Sequence, residues 1–314
     1  LAVVAALDLA PDVFAKSERE EAVAVLRDRG VPMCLRWLDY ADHLNNWRCI
    51  LTMGLAVCAS YLNDHDQMQR AAREFQLYGQ AFQPDGSYSE SLQYSNYAVY
   101  GLMLTYEALV RRDPSFSESL SIAPYARGMR WAAYSYFYSK PLPDWGPYPL
   151  PRSANFNDSA AIYRPSGDVL LHIAARADDA LQMEAGLARW LFDTHYLSTP
   201  SWGTSDRATF GLVNDFGFLT LPLLTRSVDS HSPAELDLPP MAAFSNGDVL
   251  IRNAWDGRTA LAVHGGGDPL RAPSHLHGDL NSFILVHNQE RLLLDPGHSC
   301  YRNLMRSLDI STRA

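Results

Sequence analysis

The spacing of apolar residues changes once along this chain, and that change limits the folds open to it. From residue 1 to about 230 the apolar positions recur at helical spacing, in segments bounded by Pro, Gly, Asp or Asn. Asn46 to Tyr61, Gln67 to Tyr78, Asn96 to Arg111, Pro124 to Tyr138, Asp168 to Arg176 and Ala180 to Leu197 each read as a helix. Several are apolar nearly all round, which suits helices buried between other helices. Long polar and aromatic connections separate them, QPDGSYSESLQYSNY and PDWGPYPLPRSANFNDS among them, and long loops at helix ends commonly hold function.

After the Ser- and Pro-rich stretch SVDSHSPAELDLPPM (227–241) the pattern turns to alternation. GDVLIRNAWDGRTALAVHGGG alternates about a turn at Asp256 and Gly257, and SFILVHNQERLLLDPG reads as two strands joined at His287 to Glu290. The expected organisation is a helical domain over 1–230, a linker over 231–242 and an antiparallel β domain from 243 to 314. Four or five strands are thin for a sandwich, which has about seven or more, so the β domain is expected to be incomplete at the C-terminus. A start at Leu1 without Met or a charged leader is expected to be a processed or trimmed one.

Charge and cysteine usage then narrow the function. A formal charge of -9 supplies no basic field for nucleic acid, although a few local arginines can still hold an acidic ligand. The most apolar run, Cys49 to Leu62, carries Thr52 and Ser60 and falls short of the roughly 20 residues a bilayer span needs. Cys34, Cys49, Cys58 and Cys300 show no CxxC spacing and sit in apolar stretches, which reads as buried thiols.

Three stretches carry possible chemistry. In HLNNWRC (43–49), Asn45 and Asn46 lie at a helix start, where an amide caps the helix or donates to a carboxylate near the positive end of the dipole. In DGSYSESLQYSNYAVY (85–100), Asp85 and Gly86 signal a turn, and Tyr88, Tyr94, Tyr97 and Tyr100 are either packing residues or proton donors. In SHLHGDLNSF (274–283), His275, His277 and Asp279 alternate, so in an extended backbone they share a face and converge on one ion or proton, or else are ordinary loop residues. His275 and His277 with Asp295 would suit zinc. No HExxH, GxSxG, GxGxxG or GxxxxGK[ST] occurs.

These stretches together resemble the heparinase II/III-like family of polysaccharide lyases. The resemblance is carried by NNW at 45–47, DGSYSES and Tyr94 at 85–94, NFNDSA at 155–160 and, most specifically, SHLHGDLNSFILVHNQERLLLDPGHSCY at 274–301. It implies an N-terminal (α/α) toroid of helical hairpins followed by an antiparallel β-sandwich, and cleavage of an acidic, uronate-containing polysaccharide by β-elimination. Asn46 is similar to the residue that neutralises the substrate carboxylate, or Asn45 if the register slips by one. Tyr94 stands where the catalytic tyrosine is found, with Tyr97 and Tyr88 behind it, and His275 looks like the catalytic histidine. His277 and Asp295 resemble two ligands of a structural Zn2+; no histidine follows His298, so the third ligand is missing unless His298 serves. No organic cofactor is implied, and family members act in the periplasm or outside the cell.

Further contacts to an acidic polysaccharide or oligosaccharide are expected from Asn45, Trp47, Glu90 and Tyr97, from stacking by Trp145, Tyr148, Phe156 and Trp202, and from the guanidinium groups of Arg48, Arg152 and Arg271. With Asn46 and Tyr94 in the helical part and His275 in the β part, the site is expected in a cleft where the domains meet. One rival is an (α/α)-barrel hydrolase using paired carboxylates, Asp85 with Asp158 or Glu90 with Asp158. The other is a non-catalytic homologue that binds acidic polysaccharide.

Overall fold

The structure, a computed structural model, describes residues 1–41, 43–141, 149–197, 219–224, 228–267 and 275–295. They fall into two compact units, one of residues 1–81 and 98–121, the other of residues 82–97 and from 122 onward.

The first unit is helical. Helix α1 (Ala2–Leu9) is followed by α2 (Lys16–Val25), which runs through a wide turn at Leu26–Gly30 into α3 (Val31–Tyr40). Then come α4 (Asn46–Leu62), α5 (His65–Tyr78) and the portion of α6 (Leu92–Arg112) from Ala98 onward. The α4–α5 hairpin follows from local chemistry. The Arg48 N–H donates to Asn45 Oδ1 at 3.2 Å and starts α4; Asn63 takes the left-handed conformation (φ 58°) and ends it; Asp64 accepts from the Gln67 N–H at 3.2 Å and starts α5. The facing sides bury Leu55, Ala56 and Ala59 of α4 and Met68, Ala71 and Phe75 of α5. Where α6 crosses α4, a Cβ on Gly101 would stand 3.0 Å from the Cys49 Cβ and 3.1 Å from its backbone, so a larger residue would force α4 and α6 to shift apart.

The second unit combines helices with antiparallel sheet. It holds the first turns of α6, then α7 (Ala123–Ala126), α8 (Gly128–Ser135), a hairpin of β1 (Tyr136–Pro141) with β2 (Pro149–Ser153), α9 (Gly167–Arg176), α10 (Gln182–Phe192) and the short α11 (Thr220–Leu224). A five-stranded antiparallel sheet follows in sequential order: β3 (Met241–Ala243), β4 (Asp248–Arg252), β5 (Thr259–His264), β6 (Ser282–His287) and β7 (Glu290–Leu293). Alternation sets its faces. Leu250, Ala262 and Ile284 lie side by side in the register and are buried, while Phe283 on the other face is exposed. Asn288 and Gln289 both take positive φ (48° and 59°), the pair that a two-residue hairpin turn requires.

The helix expected over Pro124 to Tyr138 is broken at Arg127 and stops at Ser135. Tyr136 begins β1, because the run YFYSK favours the strand that pairs with β2. The helix expected from Asn96 starts at Leu92, and the one expected over Ala180 to Leu197 is a short turn, α10 and a wide turn at Asp193–Leu197. Cys34, Cys49 and Cys58 are free thiols; Cys300 lies outside the described residues. Among the described residues no helix is long and apolar enough to cross a membrane.

Candidate functional site

In the second unit, α6 begins at a serine with two tasks. Ser91 Oγ accepts from the Tyr94 N–H at 3.2 Å, capping the helix, and donates to the Asp158 carbonyl at 3.2 Å. One turn in, Tyr94 is only 9% exposed, and its ring stacks on the His275 imidazole with centroids 3.7 Å apart and planes 18° from parallel. The His275 Nδ1 lies 3.0 Å from Asp158 Oδ2, with the side chains 17% and 13% exposed. The Asp158 N–H donates to the His275 carbonyl at 3.3 Å, so the two residues are joined through backbone and side chain alike.

The loop carrying Asp158, between β2 and α9, is docked on both flanks. Toward α6, the Ala160 N–H donates to Gln93 Oε1 and the Ser166 N–H to Asn96 Oδ1, both at 2.9 Å. Toward the stretch before β6, Asn157 accepts from the His277 N–H at 3.0 Å and donates its own N–H to the Asp279 carboxylate. Asn157 does this at φ 58°, a left-handed conformation that asparagine tolerates. Behind the loop, Asp248 accepts from Trp131 Nε1 at 2.8 Å and from Asn246 Nδ2 at 3.1 Å, and its other oxygen lies 2.8 Å from His264 Nδ1. Burial pulls the His264 pKa down, but the hydrogen bond and charge of Asp248, with Asp279 and Asp295 adding charge, outweigh it and the pKa is raised.

The expected site residues divide between the two units. Tyr94 and His275 are in contact in the second, while Asn45, Asn46, Trp47 and Arg48 lie in the first. Asn45 is the α4 cap, Asn46 is buried at the first helical position, and Trp47 is 62% exposed with Trp37 beside it. Arg48 is buried; its guanidinium pairs with Glu74 at 2.7 Å and donates to the Ala41 carbonyl, holding α4 to α5. Tyr97 is half-buried. Glu90 is 0% exposed and lines a small void with Trp131, Asn157 and Asp248. Arg152 donates to the carbonyls of Leu150 and Pro151 at 2.9 and 3.1 Å, and burial pushes its pKa down. Phe156 is buried with its ring 5.5 Å from His264, which leaves it no open face for a sugar. Trp145, Tyr148, Trp202, Arg271 and His298 lie outside the described residues.

Two further expectations meet the geometry. Among the described residues no three His, Cys, Asp or Glu side chains gather closely enough to hold a metal ion. His277 Nδ1 lies 3.9 Å from Asp279, and buried Asp295 accepts at its backbone carbonyl from Asn155 Nδ2 at 3.2 Å. These residues alone do not fit a zinc site. For the hydrolase pairing, burial pushes the Asp85 pKa up, but hydrogen bonds from Ser87 and Ser245 more than offset it and the net pKa is lowered. A glycosidase acid needs the opposite.

What the sequence did not disclose is the grip of Asp158 on His275, across 117 residues, and the Trp131–Asp248–His264 cluster behind it. NFNDSA was the available signal for the first, since it holds both Asn157 and Asp158.

Residues 33–119 match the family described as Alginate lyase, a stretch that takes in both Asn46 and Tyr94. The match supports a polysaccharide lyase acting on an acidic polysaccharide, and does not single out the heparinase II/III-like family. No curated protein matches the chain.

Proposed function

We propose that this protein cleaves a uronate-containing polysaccharide by β-elimination, with Tyr94 and His275 as its acid/base pair and Asn46 as the group that neutralises the substrate carboxylate. The carrying observation is the phenol stacked on the imidazole with ring centroids 3.7 Å apart, which puts two groups able to exchange protons at one place. The C5 proton of a uronate is poorly acidic while the neighbouring carboxylate is charged. A neutral amide donor such as Asn46 stabilises the developing enolate-like dianion more than the ground state.

The base takes the C5 proton, the C5–H electron pair becomes the C4–C5 double bond, and the C4–O bond breaks. The departing oxygen receives its proton from the acid. Phenol and imidazole can each give or take a proton and cover both steps between them. In the fuller form of the proposal the helices belong to an (α/α) toroid and the sheet to a β-sandwich of the heparinase II/III-like kind. The protein then works in the periplasm or outside the cell. A structural Zn2+ on His277 and Asp295 would need a further ligand from outside the described residues.

The test is absorbance. Each elimination leaves a conjugated double bond that absorbs in the ultraviolet, whereas hydrolysis leaves none. A panel of uronate polymers, alginate first because of the matched family's name, should give rising absorbance with the wild type and a rise at least about 100-fold slower with Tyr94→Phe or His275→Ala. Reducing sugar released without absorbance would mean hydrolysis. Tight glycan binding by all three proteins without product would mean a binding homologue.

A further inference from the structure

The imidazole of His275 is fixed from two directions. Tyr94 covers one face from α6, and Asp158 meets the Nδ1 edge from the loop at 3.0 Å. Asp158 is itself held in place: its N–H bonds to the His275 carbonyl at 3.3 Å and its carbonyl to Ser91 Oγ at 3.2 Å. A carboxylate so anchored is more than the partner in a solvated ion pair, which would be worth little and would leave the ring free to turn.

We propose that Asp158 is a positioning residue for His275: its carboxylate accepts the Nδ1 proton, fixes the neutral ring as the Nδ1–H tautomer and keeps Nε2 as the atom that exchanges a proton with the sugar. The inference rests on the acid/base pair proposed above. A neutral imidazole carries one N–H and one lone pair, so a bond that holds the proton on Nδ1 decides where the lone pair points. The carboxylate of Asp158 touches the imidazole and acts through it.

The test uses the whole chain, labelled with 15N-histidine, and two-bond proton–nitrogen correlation spectra in which the His275 signals are assigned by their loss in His275→Gln. The expected wild-type pattern is Nδ1–H, shifting to the other tautomer or a mixture in Asp158→Asn. Turnover on the cleaved polymer should fall about 10³-fold in Asp158→Asn with KM within about threefold, and Asp158→Glu should restore part of it. A wild-type Nε2–H pattern overturns the proposal. So does wild-type turnover in Asp158→Asn, or lost turnover with the tautomer unchanged, which would mark a purely structural role. If Asp158→Asn does not fold, the wild-type spectrum decides alone. If no uronate polymer is cleaved, the lyase reading fails, while the tautomer still decides whether Asp158 orients the ring.

Discussion

Each unit buries a polar cluster, and the two clusters are built on opposite terms. In the first unit Arg48 and Glu74 form an ion pair with side chains 7% and 5% exposed, and Glu74 also pairs with Arg70, which reaches Asp39 at 2.8 Å. Every group there has its counter-charge, and the cluster joins α4 to α5. In the second unit the central group is an imidazole, a ring with both a proton to give and a lone pair to accept one, with a phenol on its face and a carboxylate at its edge. The comparison teaches that burial of polar groups does not mark a site. A partly open cluster that can gain or lose a proton is suited to chemistry, and a closed, saturated one to architecture.

The sharpest way to break that contrast is to remove one hydroxyl. Tyr94→Phe should lower turnover by about 10²- to 10⁴-fold, followed by ultraviolet absorbance, while urea unfolding stays within about 1 kcal/mol of wild type. Glu74→Ala should do the reverse, leaving the Arg48 charge buried without its partner. The expected loss is about 3–5 kcal/mol by urea titration, and a variant that unfolds like the wild type would remove the architectural reading of the cluster.

A smaller effect tests the close approach beside it. Gly101→Ala should destabilise by about 1–3 kcal/mol, because the new methyl group meets Cys49 at 3.0 Å, despite the better helix propensity of alanine; calorimetry reads this directly. The smallest effect is a pH dependence at His264, whose folded pKa is raised. Its contribution is fully present below the unfolded value of about 6.5 and is lost as pH rises through the folded one. The stability gap between wild type and His264→Gln should therefore narrow from pH 6 to pH 9. A gap that widens would reverse the sign assigned to Asp248.

How much of this was legible depends on the range of the interactions. The α4 boundaries follow from Asn45 and Asn63, local signals that act within one turn. The β6–β7 hairpin follows from the alternation of SFILVH and the turn at Asn288–Gln289. The β1–β2 hairpin was hidden because WAAYSYFYSK is mostly apolar and aromatic, with polar residues only at Ser135, Ser139 and Lys140, and suits either period; pairing with β2 decides it. Tyr94 and His275 were singled out by motif, but no spacing rule brings Asp158 to His275. That contact exists only once the β2–α9 loop has docked against the 275–279 stretch.

Ser91 Oγ ties two properties into one. Since the same atom starts α6 and holds the carbonyl of Asp158, fraying of that first helical turn removes one of the two backbone ties on Asp158 and leaves its N–H on the His275 carbonyl as the other.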